Sequence, residues 1–311
     1  MEGAVKVIVN PTAGHGRTGR MWPDLRSAME SRGLSFSFEL TKAPWHAAEM
    51  AREAALAGAA TIIVVGGDGT VNEVVNGLFD SGKPVSPGVT MGVVATGSGC
   101  DLVRTLGFPR EPGKAVDALV RGRVIRADVG LVRCRGFDGS TVERHFLNVG
   151  DVGLGGDTAA VTNRMGKAMG GFISFLFGAV LSIARYRNKE VRLVLDGEEM
   201  PERRVVLVAA ANGRYLASGM KIAPDARIDD GLFDVVIVGD LTRLGLLRNI
   251  PKIYPGTHLR NPKVRVVRAR RLEVFGGTES LLELDGEIPG CAPATFEIVP
   301  GALQLIAADL S

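Results

Sequence analysis

The period of the apolar residues changes near the middle of the chain. In the first third, short apolar runs alternate with stretches of helical spacing. Residues 5–10, 61–65 and 90–95 are β-branched or otherwise apolar and read as strands. Residues 35–40 alternate apolar and polar. Between them, residues 18–32, 45–57, 70–79, 101–106 and 114–121 carry apolar side chains at helical intervals; Val71, Val74, Val75 and Leu78 show this most clearly. A β-α-β-α order of this kind predicts a parallel sheet with helices on both faces. From about Asp128 strand-like runs dominate: 129–133, 141–149, 191–195, 205–211, 232–238, 264–269, 281–284 and 295–299. Turn pairs (Asp196-Gly197, Asp230-Gly231, Gly276-Gly277) separate several of them, which predicts an antiparallel β-sandwich. The expected organisation is an α/β domain over 1–127 and a sandwich domain over 128–301. Residues 302–307 are either a last strand of the sandwich or, with the rest of 302–311, a return to the first domain.

Length and composition sharpen this. A chain of 311 residues exceeds the usual single core. Its 37 Lys and Arg against 34 Asp and Glu leave a net charge of +3, which argues against a nucleic-acid partner. Cys100, Cys134 and Cys291 are scattered, without a CxxC pair, and read as reduced thiols of a cytoplasmic protein. The first residues lack the pattern of a signal peptide. The most apolar stretch, 170–184, is interrupted by Ser174 and Ser182 and is too short to span a bilayer; it reads as a helix laid against the sandwich or dipping into an interface. Basic residues flank it (Arg164, Lys167, Arg185), and residues 260–271 form a strand with a basic face. Together they suggest a peripheral membrane contact, with solvated surfaces as the simpler alternative.

Three glycine-rich loops follow predicted strands: 10–16, 66–70 and 97–99. Ligands of open α/β sheets bind beyond the carboxyl ends of strands. Glycine lets backbone N–H groups approach an anion, and the following helix adds its positive end. Three such loops predict a polyphosphate. Asp68, among glycines in Gly66-Gly67-Asp68-Gly69-Thr70, would repel that ligand unless a metal stands between them, and Mg²⁺ is the simplest choice. The alternative is a tight turn in which Asp68 caps the helix. The stretch 14–19 also matches GxGxxG, but Glu39 is the nearest thing to a ribose partner, so a dinucleotide site is poorly supported.

The motif set resembles the diacylglycerol kinase catalytic family, which includes bacterial soluble lipid kinases and sphingosine kinases. The residues that carry the resemblance are Asn10-Pro11 to Gly14, Gly66 to Thr70 with Asn72-Glu73, and Gly97-Ser98-Gly99-Cys100-Asp101 with Arg104. It continues through Phe146-Leu147-Asn148-Val149-Gly150, an acidic loop at 223–234, and Asp285-Gly286-Glu287. Gly-Gly-Asp-Gly-Thr alone is shared with NAD kinases. The acidic loop and the late Asp-Gly-Glu are specific to the lipid-kinase pattern. Cys100 stands where the family usually has Asn, and Ala95 where it often has Pro.

The resemblance implies an ATP- and Mg²⁺-dependent kinase with its site in an interdomain cleft. Asn10, Pro11, Thr12, Ala13 and Gly14 would touch phosphates, and Thr41 would face the nucleotide. Gly66, Gly67, Asp68, Gly69, Thr70, Asn72 and Glu73 would form the central loop, lined by Gly97 and Ser98. Asp101 and Asp128 would organise water and metal around Asp68. Asp230, with the carbonyls of Arg227 and Leu232, would hold a structural Mg²⁺. Glu287 would take the proton of the acceptor hydroxyl, with Asp68 as the alternative base. The acceptor would be diacylglycerol or a related lipid at the inner face of the membrane. An NAD kinase-like enzyme and a non-catalytic nucleotide- or lipid-binding module are the rivals. Unpaired sheet edges permit a homodimer without demanding one.

Overall fold

The computed structural model describes residues 3–97, 99–165 and 181–308. It contains two compact units, one of residues 1–129 with 300–311 and one of residues 130–299.

The first unit is built on a parallel sheet. Its strands are β1 (Val5–Val9), β2 (Ser37–Leu40), β3 (Thr61–Gly66) and, after the small hairpin β4 (Phe79–Asp80) and β5 (Lys83–Pro84), β6 (Thr90–Ala95). Their spatial order is β2-β1-β3-β6. The helices are α1 (Arg17–Ser31), α2 (His46–Leu56), α3 (Asp68–Leu78), α4 (Asp101–Thr105) and α5 (Pro112–Arg121). The central strands are apolar throughout because helices shield both faces: β3 is buried at every position. α1 packs with α5, and α2 with α3. The chain leaves β1 toward β2, then returns past β1 to β3. This reversal makes the crevice at the carboxyl ends of β1 and β3 a topological switch point.

The second unit has two antiparallel layers. The chain enters through β7 (Arg123–Arg135), then forms β8 (Thr141–Phe146), β9 (Val149–Gly153) and α6 (Leu154–Met165). β10 (Lys189–Leu195), β11 (Glu198–Glu199), β12 (Arg204–Ala211) and β13 (Phe233–Gly239) follow. α7 (Arg243–Ile253), β14 (Val264–Ala269), β15 (Arg271–Gly276), β16 (Leu282–Leu284) and β17 (Cys291–Ala307) complete it. One layer runs β14-β13-β12-β9-β16; the other joins β10, β15, β17, β7 and β8. Val208 and Ala210 enter the core between the layers, where Phe146 stacks on Phe233 and meets Phe296 edge-on. Ala209 and Ala211 face the opposite side, under Ile183, Tyr186 and Leu246, and a shift of register between Val205 and Leu207 puts Val206 there too. This alternation is the period of two seen in the sequence.

β17 resolves the open reading of the tail. The predicted strand 295–299 and residues 302–307 are one strand. Its start pairs antiparallel with β15 (Val274↔Ala294), and its end lies parallel beside β6 (Gln304↔Thr90). Pro300-Gly301 looks like a turn in sequence, but Gly301, at a φ of +57°, gives its N–H to the Asp128 carboxylate at 2.7 Å, and the strand continues beyond this local left-handed step.

Candidate active site

The loop after β3 turns straight into α3, which begins at Asp68 rather than at Thr70. Glycine is required here by space. A Cβ on Gly97 would lie 2.7 Å from the Gly67 Cα, so the loops after β3 and β6 touch backbone to backbone. A Cβ on Gly14 would lie 2.7 Å from the Thr96 carbonyl oxygen, and Gly14 has a φ of +59°. Asn10 ties the first loop to the second: its amide donates to Thr70 Oγ1 at 2.9 Å, while its Oδ1 accepts from Thr12 N and Thr12 Oγ1. The Thr18 and Thr96 hydroxyls share a buried hydrogen bond that joins the start of α1 to the third loop. The structure thus brings together Asn10, Thr12, Gly14, Gly66, Gly67, Thr70 and Gly97.

Asp68 is half-buried, and its carboxylate spans loops. Cys100 N donates to one oxygen at 2.7 Å and Asp101 N to the other at 3.1 Å. Asp68 therefore caps α4, whose own N-cap, Cys100, makes no side-chain cap bond. Burial pushes the Asp68 carboxyl up, and the N–H groups of residues 100–102 oppose it. Cys100 sits at φ +58° and gives its thiol to Gly97 O at 3.0 Å. Left-handed backbone favours Asn among non-glycine residues, so Cys here carries a backbone cost. Asp101 is paired with Arg104, which also donates to Gly99 O at 2.6 Å.

A cavity of about 240 Å³ opens beside these loops, lined by Arg17, Ala95, Gly97, Cys100, Val103 and Arg110. Two guanidinium groups at the carboxyl end of the sheet suit an anion. Neither was singled out from sequence, because a lone arginine at the start of a helix (Arg17) or in a loop (Arg110) carries no local signal.

Other predicted residues act at a distance from this cluster. Glu73 accepts from Ala47 N at 3.2 Å and so caps α2. Asn72 is buried and accepts from Asn76. Thr41 N donates to Val9 O, continuing the β1–β2 ladder. Pro11 O receives Gly19 N, and Ala13 O receives Thr18 N. Gly69 lies in the first turn of α3. Asp128 is buried on Gly301 N. Ser98, Lys167, the Arg164 side chain and residues 170–180 of the apolar stretch fall outside the described residues.

In the second unit, Asp285-Gly286 is a two-residue turn with φ of +48° and +98°, closed by reciprocal bonds between Leu284 and Glu287. Both central residues have positive φ, as a type I′ hairpin turn demands. The Asp285 carboxylate accepts three backbone N–H groups, from Leu147 (3.0 Å), Asn148 (3.2 Å) and Val149 (3.0 Å). The two sequence motifs are thereby locked to each other, and Glu287 stands exposed at the turn. Beneath it, Asp151 on β9 lies opposite Glu283 on β16. The two carboxyls share a hydrogen bond, and Glu283 also accepts from Gly286 N. Burial pushes Asp151 up to about 7; burial, then the Asp151 charge, holds Glu283 well above the usual carboxylate range. Proximity of these acids was invisible in the sequence.

In the acidic loop, Arg268 pairs with Asp230 and lies 3.6 Å from Asp234, and Leu232 N donates to Asp230 Oδ1 at 3.2 Å. Burial raises Asp234, Arg268 opposes this, and Asp230 and Asp225 add to it; Arg227 pairs with Asp229, so four carboxylates face two guanidinium groups. An oxygen-rich, net-negative loop fits a hard cation. Among the described residues no cluster of three or more His, Cys, Asp or Glu is arranged as a metal site, and no helix is long and apolar enough to cross a membrane.

Comparison with known proteins finds relatives over nearly the whole chain. The family model of the diacylglycerol kinase catalytic domain matches residues 4–132, and that of the YegS C-terminal NAD kinase beta sandwich-like domain matches residues 149–307. The chain is 30% identical over 293 residues to the diacylglycerol kinase of Bacillus subtilis (strain 168), covering 94% of this chain and 92% of that one. It is 29% identical over 298 residues to the diacylglycerol kinase of Staphylococcus carnosus (strain TM300), covering 95% and 92%. A crystal structure of a candidate diacylglycerol kinase from Bacillus anthracis str. Sterne superposes with a TM-score of 0.80 at 25% identity, covering 98% of this chain and 95% of that one.

Proposed function

The chain belongs to the diacylglycerol kinase family, and on that premise we propose that it is an ATP- and Mg²⁺-dependent kinase of diacylglycerol or a related lipid hydroxyl. The observation that carries the nucleotide half is the closure of three glycine loops at the switch point, with Arg17 and Arg110 lining the cavity beside them. Phosphoryl transfer needs placement and charge neutralisation more than covalent chemistry. Backbone N–H groups freed by Gly14, Gly67 and Gly97 cradle the phosphates, and the two arginines offset their charge. Asp68 and Asp101 are oxygen donors suited to a hard cation and its waters, and Asp230 with the Arg227 and Leu232 carbonyls suits a second, structural one. Bound Mg²⁺ would supply charge neutralisation at the transferring phosphoryl group.

Glu287 is the favoured base. Both Asp68 oxygens are already engaged by backbone N–H groups, whereas Glu287 is exposed on a turn held rigid by Asp285. The test is labelled ATP with Mg²⁺ and either diacylglycerol micelles or NAD. Label should enter the lipid; Glu287→Gln should lower that transfer by about a hundredfold or more, as loss of a general base does, and Asp68→Ala should abolish it by removing an oxygen donor to the cation. Label in NAD would instead establish a small-molecule kinase, and label in neither pool a binding module.

A further inference from the structure

Charge in this nearly neutral chain is segregated. The 32 residues from Leu241 to Leu272 contain nine Lys and Arg and no Asp or Glu. Half of that stretch is neutralised from outside. On β14 and β15, Arg265 pairs with Glu202, Arg268 with Asp230, and Arg271 with Glu273 and Glu297. The half on α7 and the turn after it is not. Among the described residues no carboxylate pairs with Arg243, Arg248, Lys252 or Arg260; Arg243 donates to the Tyr186 carbonyl.

α7 also has an unusual face. Thr242 caps its start by accepting Gly245 N at 3.1 Å, and Leu246 turns inward onto Ile183, Tyr186 and Val238. Leu244 and Leu247 turn outward, 57% and 43% exposed. At 100° per residue the outward arc reads Arg243, Leu247, Pro251, Leu244, Arg248, Lys252. Apolar side chains occupy its centre, and cations stand on both rims. Solvated helices place charge at the centre of such an arc, whereas helices that lie in a lipid interface show this apolar centre with basic rims.

We infer that α7 docks the protein on an anionic phospholipid surface, with Leu244 and Leu247 entering the acyl boundary and Arg243, Arg248 and Lys252 meeting headgroup phosphates. A second copy of the chain would bring like charges together on this face, which argues for lipid as the occupant. The surface exists whatever the enzyme acts on; its service to catalysis rests on the proposed lipid acceptor.

The test uses the full chain and sedimentation with sucrose-loaded vesicles of phosphatidylcholine, with and without phosphatidylglycerol. The wild type should bind the anionic vesicles and leave the neutral ones. Leu244→Glu/Leu247→Glu should lower the partition coefficient by roughly tenfold or more, from the lost apolar burial and the added repulsion. Arg248→Glu/Lys252→Glu should lower it and flatten its dependence on phosphatidylglycerol content. Circular dichroism checks that both variants remain folded. The leucine variant should keep its turnover of a monomeric short-chain diacylglycerol while losing turnover of the long-chain lipid in vesicles. Wild type that ignores anionic vesicles, or variants that bind as it does, would overturn the inference, as would a dimer that both variants dissolve. Failure to phosphorylate either lipid would refute the proposed function and leave the sedimentation result to decide the docking surface.

Discussion

The Asp285 carboxylate ties the Asp-Gly-Glu turn to the Leu147–Val149 segment. Asp285→Asn keeps its shape and its tolerance of a φ of +48°, but removes the charge and turns an NH₂ group toward backbone donors. Leu147, Asn148 and Val149 are 1%, 6% and 1% exposed, so their N–H groups have little water to fall back on. Hydrogen bonds to a charged acceptor contribute about 1.5–3 kcal/mol each, which bounds the loss for three at roughly 5–9 kcal/mol. Asp285 itself is half-buried, two oxygens serve three donors, and Asn keeps one acceptor. The expected cost is therefore about 3 kcal/mol, a large share of a typical total of roughly 5–15 kcal/mol. The assay can be unit-specific. Both tryptophans, Trp22 and Trp45, lie in the first unit; all three tyrosines, Tyr186, Tyr215 and Tyr254, lie in the second. Urea unfolding followed by tyrosine absorbance should shift to a lower midpoint, and turnover should fall with little change in nucleotide affinity. A tyrosine-detected shift worth less than about 0.5 kcal/mol would refute the reasoning, since surface substitutions of that size need no clamp to explain them.

Two further outcomes follow from the same coordinates. Burial raises Asp151 to about 7 and holds Glu283 high, so between about pH 4, where carboxylates ordinarily titrate, and pH 7 the folded protein binds more protons than the unfolded chain. Stability contributed by these protons is complete below that window and is lost as pH rises through it, at up to roughly 1.4 kcal/mol per unit for each group; Asp151→Asn should about halve the slope of melting temperature against pH, and an unchanged slope would show that the pair does not titrate there. Gly97→Ala puts a methyl group 2.7 Å from the Gly67 Cα and should cost about 1–3 kcal/mol in tryptophan-detected unfolding while weakening ATP binding; wild-type values for both would mean the loops do not touch.

Much of this molecule is legible without coordinates. The glycine loops, the strand-to-helix passage at Gly66–Thr70, the change to antiparallel strands after Asp128 and the Asp-Gly hairpin are all local, because period and turn chemistry act within a few residues. Where local rules conflict, the reading fails. Gly245 and Pro251 hide α7, which folds because Thr242 caps it and Leu246 is buried. Pro300-Gly301 masks the continuity of β17, which Asp128 restores.

The sequence by itself determined the two-part architecture, the glycine-rich loops that end the strands of the first part and the family. Only the tertiary structure decided which groups answer one another. Asp68 serves the N–H groups of a helix more than thirty residues away, Asp285 serves a strand formed far earlier in the chain, and Asp151 faces Glu283. The reason is physical: backbone periodicity is written in near neighbours, but the partner of a carboxylate depends on strand register and loop closure. Those are settled only when remote segments assemble and exclude water from between them.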